Sequence, residues 1–167
     1  MHQQVQDIVA VLREMIEAHK MLLELGRVKQ AAIKDNDTET LSKVTLHEKK
    51  YVNKINELDK QRAQLVWDYL KLAGVRVFRF YKLEHLIQAV NNPDEKRKLL
   101  QTSAELIHVM DELKRLNDFN RELTRMQLHF ANHLMDLLTG PAAEEVTYHR
   151  ALQEQGYNPY NRFDTKA

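Results

Sequence analysis

The chain has 167 residues, with 25 basic and 24 acidic side chains for a net charge of +1, and it contains no cysteine. That balance leaves no electrostatic footprint for nucleic acid or an anionic membrane surface. The missing thiols exclude a disulfide framework, a thiolate nucleophile and a cysteine zinc site. Only 4 Gly and 3 Pro in a sequence that is 29% charged favour long helices.

The first fifteen residues, MHQQVQDIVAVLREM, have no basic start followed by an unbroken apolar core, so no signal peptide is expected. No run approaches the roughly 18 apolar residues that a membrane-spanning helix needs. A cytoplasmic location is the expectation.

The first periodic segment runs over residues 3–34. Ile8, Leu12, Met15, His19, Leu22, Gly26, Lys29 and Ile33 follow alternating steps of four and three, and Val9, Ile16 and Leu23 widen the stripe. Asp35-Asn36-Asp37 reads as a tight turn, with Asp37 or Thr38 as N-cap of the next helix and Glu39 favourable in its first turn. That helix, residues 39–72, carries the cleanest heptad: Leu41, Val44, Glu48, Tyr51, Ile55, Leu58, Arg62, Leu65, Tyr69 and Leu72. Two helices of similar length joined by so short a turn form an antiparallel hairpin.

Ala73-Gly74 ends the second helix. The following VRVFRFY (75–81) is β-like in composition but has no partner strand, and is read as an irregular crossover. A short helix over 82–90 follows and stops at Asn91-Asn92-Pro93. Trp67, Tyr69, Phe78, Phe80 and Tyr81 crowd this corner as a plug for one end of a bundle. Residues 94–139 contain neither Gly nor Pro and predict one long helix, with Asp94 and Glu95 at its start and Gly140-Pro141 at its end. Residues 141–167 are expected to form a flexible tail, polar and turn-prone but holding Tyr148, Tyr157, Tyr160 and Phe163. The predicted architecture is all-α: a hairpin, a short helix and a long last helix in a coiled-coil-like bundle over 1–140.

The motifs of catalysis are missing. There is no GxSxG, no Walker lysine loop and no GxGxxG, and His47-Glu48 fails as a zinc motif because Tyr51 stands where the second histidine must be. His129, His133 and Asp136 could share one side of the last helix, but no carboxylate–histidine set accompanies them, so neither a metal nor another cofactor is expected.

Polar residues inside the seams carry more information. Glu48 and Arg62 interrupt the second helix's stripe, Asn120 and Gln127 the last helix's, and His19 and Lys29 the first's. Such residues set register at a cost in stability. Hairpin geometry brings Lys29 within about two turns of Glu48. Either the two pair, or Glu48 and Arg62 sit at the seam's edge with stems packed and heads wet. The last helix is longer than its neighbours, so its seam predicts an exposed apolar stripe around Leu123, Phe130, Leu134 and Leu137, fit for a partner helix, the chain's own tail or a second copy.

Lys29–Arg62 (KQAAIKDNDTETLSKVTLHEKKYVNKINELDKQR) resembles the FlgN family of flagellar export chaperones in its Lys29, acidic turn Asp35/Asp37, Leu41, Glu48 and Arg62. The last helix is similar through Asn117, Asn120, Leu123, Gln127, Phe130 and Leu134. The ending FDTKA resembles the tails of Gram-positive relatives. Residues 75–83 depart from the family, whose members tend to carry Ser/Thr-capped helix starts there.

The resemblance implies a cytoplasmic chaperone that binds the C-terminal helices of the hook–filament junction proteins FlgK and FlgL and delivers them to the flagellar type III export apparatus. It implies a client surface on Asn117, Asn120, Leu123, Gln127, Phe130, Leu134 and Leu137, joined by the tail residues Tyr148 and Tyr157. The competing class is a coiled-coil scaffold or tether acting through self-association, for example as a homodimer.

Overall fold

A computed structural model describes residues 2–75 and 83–140. Four helices are present among them, α1 (His2–Lys34), α2 (Thr38–Leu72), α3 (Leu83–Ala89) and α4 (Pro93–Thr139), and no strand. The protein is all-α. The chain divides into two compact units, Met1–Thr124 and Arg125–Ala167.

The hairpin turn is built from its own polar residues. Asn36 adopts a left-handed φ of 53°, and the Asp37 amide donates back to the Ala32 carbonyl at 2.9 Å, which closes the end of α1. Asp37 then caps α2, its carboxylate accepting from the Thr40 amide at 3.0 Å. The Thr40 side chain first, and then this amide bond, hold the Asp37 carboxyl below its ordinary range. At the far end of α2, Gly74 takes a φ of 70° and the Val75 amide reaches the Leu70 carbonyl at 3.1 Å. The helix stops where the glycine permits this geometry. The predicted crossover over 75–81 and its aromatics Phe78, Phe80 and Tyr81 lie, apart from Val75, outside the described residues.

Within the first unit, α1 is the central element. Its two stripes are buried together: Ile8, Leu12 and Ile16 are fully enclosed, with Val5, Val9, Met15, Leu22, Leu23 and Ile33 beside them. α2 lies antiparallel to it. Lys29 of α1 donates to Glu48 of α2 at 2.8 Å, nineteen residues on across the turn.

α4 runs parallel to α1. His2 meets Glu95, Lys20 meets Glu105 at 3.1 Å, and Arg27 meets Glu112 at 3.3 Å, so the paired residues ascend together. The Leu99, Leu106 and Val109 seam of α4 joins the same core, and α3 contributes Leu86.

The heptad of α2 is unevenly filled. Val44, Leu58 and Tyr69 are buried, while Leu41, Tyr51, Ile55 and Leu65 are only half-buried. Leu72, the last heptad position, is exposed, because α2 ends there and nothing among the described residues covers it. Val66 and Leu70, off the strict heptad, are instead fully buried close to α3. Burial lifts the Tyr69 phenol above its usual range, and the Glu95 carboxylate adds to the effect. Trp67, at the same corner, is half-buried.

Candidate partner-binding surface

α4 is long because nothing in it stops a helix. Asn92 caps it, its side-chain oxygen accepting from the Asp94 amide at 2.9 Å and the Glu95 amide at 3.3 Å. Pro93 takes the first helical position, where its missing N–H costs nothing. Asp94 and Glu95 stand in the first turn, favourable to the helix dipole. The helix then runs unbroken to Thr139, and Gly140 follows with a φ of 75°.

The residues singled out on α4 do not share one environment. Asn120 is turned inside the first unit, 4% exposed, and its Nδ2 donates to the Gly26 carbonyl at 2.8 Å. It is a packing residue between α1 and α4 and offers no surface to a partner. Asn117 is exposed, and Leu123 is half-buried. Leu116 packs directly over Gly26.

In the second unit, Gln127 is half-buried, whereas Phe130, Leu134 and Leu137 are 58%, 41% and 68% exposed. Tyr148 and Tyr157 lie outside the described residues.

Phe119, Met126 and Leu138 are also exposed. At about 100° per residue, Met126, Phe130, Leu134 and Leu137 of the second unit fall on one helical face, with Gln127 and Leu138 along its edge. Reading outward from the buried seam misses Met126, which lies one position off the strict three-four alternation. Helical phase identifies it. Leu128 and Met135 are exposed on a different side of the helix.

The polar seam residues separate into two kinds. Lys29 and Glu48 form an interhelical pair with side chains 31% and 18% exposed. Arg62 stays within α2, its guanidinium on Asp59 at 2.8 Å and its stem packed. His19 is buried and satisfied locally, Nδ1 lying 2.7 Å from the Met15 carbonyl.

Among the described residues no group of three His, Asp or Glu side chains converges to hold a metal ion. His129, His133 and Asp136 are all exposed. No helix among these residues is long and apolar enough to cross a membrane.

No solved structure matches the chain. The uncharacterized protein YvyG of Bacillus subtilis (strain 168) is similar to it, 27% identical over 165 residues that cover 96% of this chain and 97% of YvyG. Residues 1–156 match the FlgN protein family. An all-α protein with an exposed apolar face on its longest helix thus belongs to the FlgN family, a family of flagellar chaperones rather than enzymes.

Proposed function

We propose that this chain is a cytoplasmic export chaperone for the hook–filament junction proteins FlgK and FlgL, and that it masks their C-terminal helical segments before delivery to the type III export apparatus. The observation that carries the reading is the exposed face of α4 through Met126, Phe130, Leu134 and Leu137. Its anchors recur at the spacing by which one amphipathic helix reads another. A client segment that would polymerise through its own amphipathic helix is silenced when an equivalent surface is offered first. Such binding orders a flexible segment, which offsets much of the contact energy and keeps release possible. No nucleotide or catalytic group is required.

In this reading Gln127 flanks the anchors and Tyr148 and Tyr157 of the tail complete the surface, while Asn117 and Leu123 belong to the first unit. The test is a calorimetric titration of the full-length chain with FlgK and FlgL C-terminal segments. A stoichiometric complex is expected. Phe130→Asp at the centre of the face should weaken it by about thirtyfold, the effect of losing roughly 2 kcal/mol at a hot spot. Truncation after Pro141 should weaken it further.

Unchanged affinity in the Phe130 variant would sink the site. A dimer that persists at all concentrations and refuses both clients would favour the scaffold instead.

A further inference from the structure

A second surface lies on the hairpin, in the first unit. Met21 and Leu25 of α1 and His47, Lys50, Tyr51 and Lys54 of α2 line a groove between the two helices. Its floor is apolar: Met21 is 44% exposed, Leu25 and Tyr51 are half-buried, and Val28, one turn beyond Leu25 on the same stripe, is 47% exposed. Its α2 rim is basic. His47, Lys50, Tyr51 and Lys54 occupy one face of α2 at three- and four-residue spacing.

The charge on this rim is not cancelled within the described residues. Of the nearest carboxylates in the sequence, Glu48 is held by Lys29 and Glu57 by Lys60, and Lys43 is held by Glu39. On the α1 side, Glu24 is paired with Arg27, and Glu17 with Lys20. Lys50 and Lys54 make no ion pair with any described residue. An apolar floor between two antiparallel helices with uncompensated positive charge on one rim has a definite complement.

We propose that the α1–α2 groove docks an amphipathic helix of a partner protein, apolar on one stripe and acidic along one flank. A third helix packs into the trough between two others by ridge-and-groove interdigitation. Met21, Leu25 and Tyr51 take its apolar anchors, and Lys50 and Lys54 take its carboxylates. The acidic flank fixes which way the helix lies, because its reversal would carry that flank to the α1 rim, away from the two lysines. This surface shares no residue with the α4 face.

The test uses the full-length protein and a synthetic helical peptide with leucines at i, i+4 and i+7 and glutamates on one flank, followed by NMR. Perturbations confined to the Met21 and Leu25 methyls and the Tyr51 ring are expected. Replacing both lysines (Lys50→Glu, Lys54→Glu) should weaken binding by about tenfold or more, since attraction becomes repulsion at both sites. Both side chains are exposed, so the thermal unfolding curve should not move, and binding of FlgK or FlgL segments should be unaffected.

Equal binding by the same peptide with lysines in place of the glutamates would overturn the proposal. So would perturbations elsewhere on the protein. Binding to phosphatidylglycerol vesicles through Lys50 and Lys54, with no peptide binding, would reassign the groove to a lipid surface. Peptide-free dimerisation abolished by the double variant would reassign it to a second copy of the chain.

Discussion

Asn120 of α4 donates its side-chain amide to the backbone carbonyl of Gly26 on α1 at 2.8 Å, and both residues are buried. The two helices come this close because Gly26 has no side chain. A Cβ there would lie 2.8 Å from Leu116 Cδ2. One glycine and one asparagine therefore set the distance and the register of α4 on the hairpin. The side-chain oxygen Oδ1 of Asn120 finds no donor among the described residues, so the contact satisfies only half of the amide.

Substitution at Gly26 separates helix propensity from packing. Gly26→Ala gains roughly 1 kcal/mol of helix propensity. Its methyl pushes on the rotatable end of Leu116, which is half-buried and can turn aside. An overpacking cost of about 1–2 kcal/mol leaves the alanine variant near neutral or slightly destabilised. Gly26→Leu has no such escape and should lose at least about 3 kcal/mol. Urea denaturation measures both, and a leucine variant as stable as the parent would mean that α4 does not approach α1 this closely.

Asn120 makes a prediction whose sign depends on pH. Asn120→Leu removes a half-satisfied amide and should be neutral within about 1 kcal/mol, at a cost in register specificity. Asn120→Asp places a carboxylate at the same buried site, opposite a carbonyl, and should cost about 3 kcal/mol or more at neutral pH. Burial raises the folded-state pKa of that aspartate above its unfolded value, so the unfolded chain ionises first as pH rises. The penalty is therefore present at neutral pH and disappears as pH falls below the ordinary carboxylate range. Urea midpoints at neutral and acidic pH, each referred to the parent at the same pH, test this. A penalty that persisted in acid would show that the cost is steric.

The particular contacts explain which features were legible in the sequence. Helix periodicity and the polar turn at 35–37 depend on local spacing and capping, so α1, α2 and α4 agree with their predicted spans to within one residue at either end. The Lys29–Glu48 proximity follows from hairpin register alone. The partner of Asn120 does not, because a backbone carbonyl leaves no mark in a sequence and the parallel α1–α4 register joins residues 94 apart in the chain. For that reason a residue placed on the client surface by family resemblance lies inside the bundle. The half-burial of Tyr51 and Ile55, on an unbroken heptad, likewise depends on which helices reach them.

The Lys29–Glu48 pair tests how much an interhelical ion pair contributes at a partly wet seam. Its ends are 2.8 Å apart with side chains 31% and 18% exposed, so solvent screens part of the attraction. A double-mutant cycle with Lys29→Met and Glu48→Gln should give a coupling of about 1 kcal/mol. High salt should reduce it only in part, because the pair is tighter than the screening length. A coupling indistinguishable from zero would identify both residues as seam-edge side chains whose stems alone matter.

Asp37 governs the start of α2, and its protonation should loosen the hairpin. The Thr40 side chain first, and then the Thr40 amide, hold the folded-state carboxyl below its unfolded value, the direction in which ionisation favours folding. Its contribution is complete above the ordinary carboxylate range and is lost as pH falls through the depressed folded value. The parent protein should thus lose more stability on acidification than Asp37→Asn, whose amide oxygen still caps the Thr40 N–H at every pH. Asp37→Ala, lacking any cap, should be the less stable variant at neutral pH and should converge toward the parent in acid. Thermal unfolding of the three proteins at neutral pH and near pH 3 decides it, because parallel losses in all three would remove Asp37 from the acid response and leave it to the other carboxylates.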